Sequence, residues 1–446
     1  MDYNILSYGA VNGGTALSTR ALQQAIDDCS KAGGGRVIIP PGEFTIGGIE
    51  LKSNVDIHFE TGAKLIASRE REDYTAALTS WTTNDTFNRV VLFYGDGLEN
   101  VSFSGCGVIE GTGQEDFGRY WGLPTPPPYR IGMIVIENSQ NVRISDITVM
   151  YSDSWTLHFR ACEDVFVTRV KIHNNYFHLN SDGIDPDSCT NVTISDCHIT
   201  AGDDCIVIKT TQPNAPCRNI TVTNCVLETS CAAIKIGTES HSDFSDLRFS
   251  NITIRNTTVG CGLFVKDGAT MERISFHNIS YTYADKEHQK TSIPMYIDVE
   301  KRHDNSRLGR VRDISFTNWH IASDVNCVFQ SVPESPIQNV TLSNITIRAK
   351  KEADRSIRQK SAGSGDRTAK DNGNESVLVQ YPAWIAFKNA ENLTIRDVSV
   401  YQDEGAKGID MSALYFENVK EVFTENIRLF GAAEGGRPLI ACKEEA

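Results

Sequence analysis

Apolar and polar residues alternate in short runs along most of the chain, and the runs recur. Residues 141–149 read Asn-Val-Arg-Ile-Ser-Asp-Ile-Thr-Val, and residues 191–199, 219–227 and 339–347 repeat the same grammar. Alternation with period two puts successive side chains on opposite faces, which predicts strands. Copies starting at Asn141, Asp164, Asn191, Asn219, Asp246, Arg273, Asp313, Asn339, Asn392 and Asn418 are separated by 23, 27, 28, 27, 27, 40, 26, 53 and 26 residues. A period of about 27 predicts stacked units that bury a shared core, with the 40 read as an inserted loop and the 53 as two turns. Several short strands per unit leave no room for a helix. The expected fold is therefore all-β, a single-stranded parallel β-helix whose coils lie about 4.8 Å apart. Residues one repeat apart then become vertical neighbours.

The whole of 1–446 is expected to form one β-helix domain. Residues 18–30 break the alternation: Leu22, Ala25, Ile26 and Cys29 have helical spacing, and Gly33-Gly34-Gly35 follows. This predicts a short helix that covers the open N-terminal edge, so that about 1–50 form the cap and first coil. Residues 349–376, charged and rich in Gly and Ser, predict an exposed loop. Asn and Asp at the bends bond local backbone and tolerate unusual dihedrals, so ladders of them are expected to pin the corners. The sequons at Asn191 and Asn251 fall in these corners and read as structural. Cys197 and Cys225, 28 apart, have a spacing that could meet disulfide geometry when stacked, but a thiol ladder in the core is expected; most of the twelve cysteines sit in apolar runs as small buried hydrophobes, and the set reads as reduced.

Charge narrows the partners. Lys and Arg total 43 against 57 Asp and Glu, a net charge of −14, which argues against nucleic acid and anionic membrane. No apolar run approaches the ~20 residues of a spanning helix, and residues 1–14 have neither a basic start nor an apolar core. The expected location is cytoplasmic, or secreted if a leader was trimmed away.

Two acidic segments interrupt the strands: Asn-Ser-Asp-Gly-Ile-Asp-Pro-Asp-Ser-Cys at 180–189 and Ala-Gly-Asp-Asp-Cys-Ile-Val-Ile-Lys at 201–209. Aligning the strands that follow sets Gly183-Ile184 beside Cys205-Ile206. Asp182 then stacks on Asp204, with Asp203 at the bend. Crowding three carboxylates costs energy and raises a proton affinity. It suits glycosidic hydrolysis, where one acid protonates the leaving oxygen and another activates water. Clustered oxygens for Ca²⁺, or acids that merely solvate the bends, fit the same spacing.

The two motifs in this order resemble the Asn-Thr-Asp-Gly and Gly-Asp-Asp-Cys signatures of glycoside hydrolase family 28, the polygalacturonase family. The likeness extends to Tyr-Gly-Ala-Val-Asn-Gly-Gly at 8–14, the segment 33–44, Gly-Val-Ile-Glu-Gly-Thr-Gly-Gln at 107–114 and Tyr-Ser-Asp-Ser-Trp-Thr-Leu-His-Phe at 151–159. The resemblance implies a right-handed parallel β-helix that hydrolyses α-linked galacturonate chains with inversion and without metal or cofactor. Carried over, Asp203 is the general acid, Asp182 and Asp204 hold and deprotonate the attacking water, and Asn180 orients the site. A stack of about 5 Å would by itself suggest retention; the resemblance implies inversion.

This chain departs from the family pattern in two places. Where the family carries Gly-His-Gly, residues 231–233 are Cys-Ala-Ala. The Arg-Ile-Lys that meets a substrate carboxylate has become Phe264-Val265-Lys266, which removes a bidentate clamp. Setting Ile234 and Leu263 in one column puts Lys235 one turn below Phe264, so Lys235 and Lys266 together are expected to supply positive charge to an acidic oligosaccharide. Phe264 alternatively suits a neutral deoxy sugar and a rhamnogalacturonan-directed enzyme. Residues 236–240, Ile-Gly-Thr-Glu-Ser, resemble the Ile-Gly-Ser-Glu of exo-acting relatives. His178 and Trp155 are further substrate-binding candidates, each also readable as structural, as is His158; His241 is a candidate replacement for the missing histidine. A calcium-dependent lyase and an inactive carbohydrate-binding β-helix are the competing functions.

Overall fold

The computed structural model describes residues 1–74, 89–114, 130–283, 293–323, 325–349, 381–403 and 406–443. It divides into two compact units, Met1–Val207 and Ile208–Ala446. The fold is the parallel β-helix. The expected loop at 349–376 lies, beyond its first residue, outside the described residues.

In the unit Met1–Val207 each coil contributes three strands, all paired in parallel. Ile134, Leu157 and Ile184 stand in one column, Val142, Val165 and Val192 in a second, and Val149, Ile172 and Ile199 in a third. All nine are buried, and each such aliphatic side chain contributes about 1.5–3 kcal/mol by leaving water. Corners are made by pairs of residues five apart in the left-handed region: Asn141 and Asp146, Asp164 and Arg169, Asn191 and Asp196, with φ between 54° and 68°. Asn and Asp enter this region more readily than other non-glycine residues. Their side chains also bond coil to coil, as Asn141 Nδ2 does to Asn100 Oδ1 at 2.7 Å.

The helix Thr19–Lys31 buries Ala21, Leu22, Ala25, Ile26 and Cys29. Its polar edge is tied to the first coil: Gln23 Nε2 donates to the Glu50 carbonyl at 3.0 Å, and Ser30 Oγ to that of Ser53 at 3.1 Å.

In the unit Ile208–Ala446 the inward column Ile236, Leu263, Ile297, Phe329, Phe387, Phe416 runs through six coils. A second column stacks Phe249, Phe276 and Phe316 with ring centroids 4.9 Å apart and planes within 11°, which is the strand spacing expressed in side chains. The 53-residue interval is one coil, not two. Val340 pairs directly with Leu393, so these two strands are neighbouring rungs. The last repeat also shifts: Asn392 has Glu421 as its register neighbour, while Asn418 stacks on Asn389 and donates to its Oδ1 at 2.6 Å.

Among the described residues, which include all twelve cysteines, no disulfide forms. Cys197 and Cys225 donate instead to nearby carbonyls, of Ser195 at 3.2 Å and Thr223 at 3.3 Å. No described helix is long and apolar enough to cross a membrane.

Candidate active site

Two backbone bonds set the register of the acids. Gly183 N donates to the Asp204 carbonyl and Ile184 N to that of Cys205, both at 2.9 Å. In a parallel ladder this places Gly183 opposite Cys205 and hence Asp182 opposite Asp204. Two glycines permit the close approach. A Cβ on Gly183 would stand 2.4 Å from the Cys205 oxygen, and one on Gly202 would stand 2.1 Å from the His178 oxygen. The glycines of both acidic motifs are thus steric requirements of the stack.

Asp182 and Asp204 are buried, and Asp203 is half-buried at the bend. Carboxylate oxygens of Asp203 and Asp204 lie within 4.8 Å of each other. Both oxygens of Asp203 accept N–H bonds: Oδ1 from Asp204 N at 3.0 Å, and Oδ2 from Asn180 N at 3.1 Å and Asn180 Nδ2 at 3.5 Å. Asn180 reaches this position with φ 52°. Two carboxylates fall well short of the roughly six to eight oxygens that calcium takes.

His178 is fully buried. Its Nε2 lies 3.0 Å from Asp153 Oδ1. Burial pushes the Asp153 carboxyl up, but the bond to His178, the Arg130 charge and the Ile131 amide outweigh it and hold the group below the usual carboxylate range. Arg130 in turn donates to Asn180 Oδ1 at 2.8 Å. Neither Asp153 nor Arg130 stood out in the sequence. Asp153 sits inside the 151–159 segment without a motif of its own, and Arg130, in register with Arg89, lies before the first of the repeat copies counted from Asn141.

Trp155 is packed edge-on against His158, with centroids 4.9 Å apart, and is largely buried. His158 lies 3.5 Å from Asp187.

In the other unit, the register differs from the sequence alignment by two residues. Ile236, not Ile234, pairs with Leu263, and Lys235 pairs with Gly262. Lys235 Nζ nevertheless lies 5.6 Å from the centre of the Phe264 ring. Phe264 is 1% exposed and packs against Tyr296 at 5.4 Å. Lys266, also buried, is held by Asp298 at 2.5 Å and Glu300 at 2.6 Å. Burial alone would lower its pKa; these two carboxylates raise it above the usual lysine value. Lys209 and Arg302 each approach Glu239 to 3.6 Å. Burial pushes the Glu239 carboxyl up, yet the charges of Lys209, Arg302 and Lys235 bring it down to about 2. His241 is exposed, 3.7 Å from Asp267.

A probable polygalacturonase of Vitis vinifera is 26% identical over 387 residues, spanning 77% of this chain and 74% of the relative. Exopolygalacturonase B of Aspergillus niger is 24% identical over 371 residues, spanning 75% and 82%. Among solved structures, the Yersinia enterocolitica family 28 exopolygalacturonase shares the fold, with a TM-score of 0.70 at 18% identity over 95% of this chain and 78% of that one. The sequence profile of glycosyl hydrolases family 28 matches residues 29–364, most of the chain, and the chain accordingly belongs to that family.

Proposed function

We propose that this chain hydrolyses α-linked galacturonate-type oligosaccharides from a chain end, with inversion. The observation that carries the reading is the opposition of Asp182 and Asp204 with Asp203 beside them. In this mechanism Asp203 protonates the departing glycosidic oxygen. Asp182 and Asp204, opposite each other on successive coils, hold one water between them and remove its proton as it attacks. Asn180 fixes the acid. The exopolygalacturonase relative supports attack at a chain end and an acidic sugar.

Lys235 and Lys266 are the candidates for the sugar carboxylate; Lys266 is held by Asp298 and Glu300, and Lys235 lends its charge to Glu239. The burial of Phe264 weighs against a stacking platform for a neutral sugar. His178 and Trp155 support the site from behind: both are buried and engaged by neighbours.

The test combines product analysis with one substitution. Proton NMR of a galacturonate oligosaccharide digest should show the β-anomer first. Asp203→Asn should lose about 10²–10⁴-fold in kcat while substrate affinity stays within a few-fold. An α-anomer as first product, or an Asp203→Asn variant with near-normal turnover, would remove the assignment.

A further inference from the structure

Arg130, Asp153 and His178 form a buried group beside Asp203 that the mechanism above does not use. The Arg130 guanidinium is 1% exposed. Its Nη1 donates to Asn180 Oδ1 at 2.8 Å, and its Nη2 donates to the carbonyls of Asp153 and Leu179. Its Nε lies 3.8 Å from Asp153 Oδ1, the oxygen that also meets His178 Nε2. The second Asp153 oxygen accepts from Ile131 N at 2.9 Å. Both terminal nitrogens of this arginine are therefore committed to neighbours, and one of those neighbours, Asn180, touches the acid.

A carboxamide has two ends of nearly equal shape, an acceptor oxygen and a donor NH₂, and a hydrogen-bond network decides which way it points. A guanidinium has donors only. Facing Arg130, Asn180 must present its oxygen, and its NH₂ must then face Asp203. Oδ2 of Asp203 thereby receives two donors from Asn180, while Oδ1 receives the Asp204 amide alone.

We propose that Arg130 is a positioning residue for Asp203: by locking the Asn180 amide it keeps a donor on Oδ2 and leaves Oδ1 as the oxygen that carries the proton to the leaving group. The inference rests on Asp203 being the general acid of the proposed hydrolysis. Asp153, anchored by His178, supplies the countercharge that keeps the guanidinium in place. Without Arg130 the amide is free to turn its oxygen toward Asp203. A carbonyl facing a carboxyl favours the protonated form and aims that proton at Asn180 instead of the sugar. The other titratable groups around Asp203 in this unit are Asp204, Asp182 opposite it, and the Asp153–His178 pair, all retained in the variants below.

The test reads Asp203 directly and by activity. Carbon-13 NMR titration of the full chain, with Asp203→Asn used to assign the signal, gives the Asp203 midpoint. The pH profile of kcat on a galacturonate oligosaccharide gives the alkaline limb, where a general acid loses its proton. Arg130→Met should raise the midpoint by about one pH unit, move the alkaline limb up by the same amount and lower kcat about tenfold or more. Arg130→Lys, which keeps a donor-only group, should return both toward wild type. Asn180→Ala should shift the midpoint upward, and adding Arg130→Met to it should shift it no further. An unmoved midpoint in folded Arg130→Met, or additive shifts, overturns the proposal. Should Arg130→Met fail to fold, an unmoved midpoint in Asn180→Ala overturns it. A wild-type chain with no galacturonan hydrolysis sinks the functional reading instead, and the titration still decides whether Arg130 controls Asp203.

Discussion

Individual charges in this protein are held in place by specific opposite charges, and Glu239 illustrates the cost and the gain. Burial opposes its ionisation, and Lys209, Arg302 and Lys235 more than offset that, leaving its pKa at about 2. A carboxyl whose folded pKa lies below its unfolded value adds stability above the unfolded pKa, near 4.5, and that contribution disappears as pH falls through about 2. Glu239→Gln should therefore be less stable than wild type at neutral pH, and the gap should close progressively between pH 4.5 and 2. Urea midpoints measured across that range check it; a gap that stays constant with pH assigns the loss to packing. At this scale the sequence was legible in part. Asp182 and Asp204 were found opposite each other because they sit at equal counts from strands of clear alternation. Arg130 and Asp153 were invisible, because they reach Asn180 and His178 from other coils and no local pattern marks them.

Coils are elements whose edges matter as much as their cores. The left-handed corners pair conformational tolerance with side-chain bonds: Asn339, φ 56°, donates to Asp313 Oδ1 at 2.8 Å and accepts from Asn392 Nδ2 at 2.7 Å. Asn339→Ala loses both bonds and keeps a left-handed backbone that alanine resists by about 1–2 kcal/mol. Asn339→Gly loses the bonds alone. Denaturant midpoints should rank wild type above the glycine variant and the glycine variant above the alanine one; equal losses would assign the whole effect to the side-chain ladder. Strand register shows where reading a sequence fails. Displacing Lys235 by two residues keeps every side chain on its face, so the alternation that revealed the strands could not fix their partners. Period counting could not tell whether a long interval adds a rung, which is why the Asn339–Asn392 interval looked like two turns.

Across the molecule, fold and family were legible because a 27-residue period and two acidic motifs reinforce each other over most of the length. A hydrolase of this design should produce one reducing end per bond cleaved and no near-ultraviolet absorbance from unsaturated uronates, and a chelator should leave its rate unchanged. Loss of rate on chelation, restored by calcium, would instead identify a metal-dependent reaction. The pairing of Val340 with Leu393 across 53 residues has a wider meaning. Closing a segment of doubled size costs only about 0.6 kcal/mol, and the rungs on either side keep their alignment. A scaffold of this kind can change length between two rungs and keep its ladder, so a lineage can lengthen the chain there while Asp182, Asp203 and Asp204 hold their places in the stack.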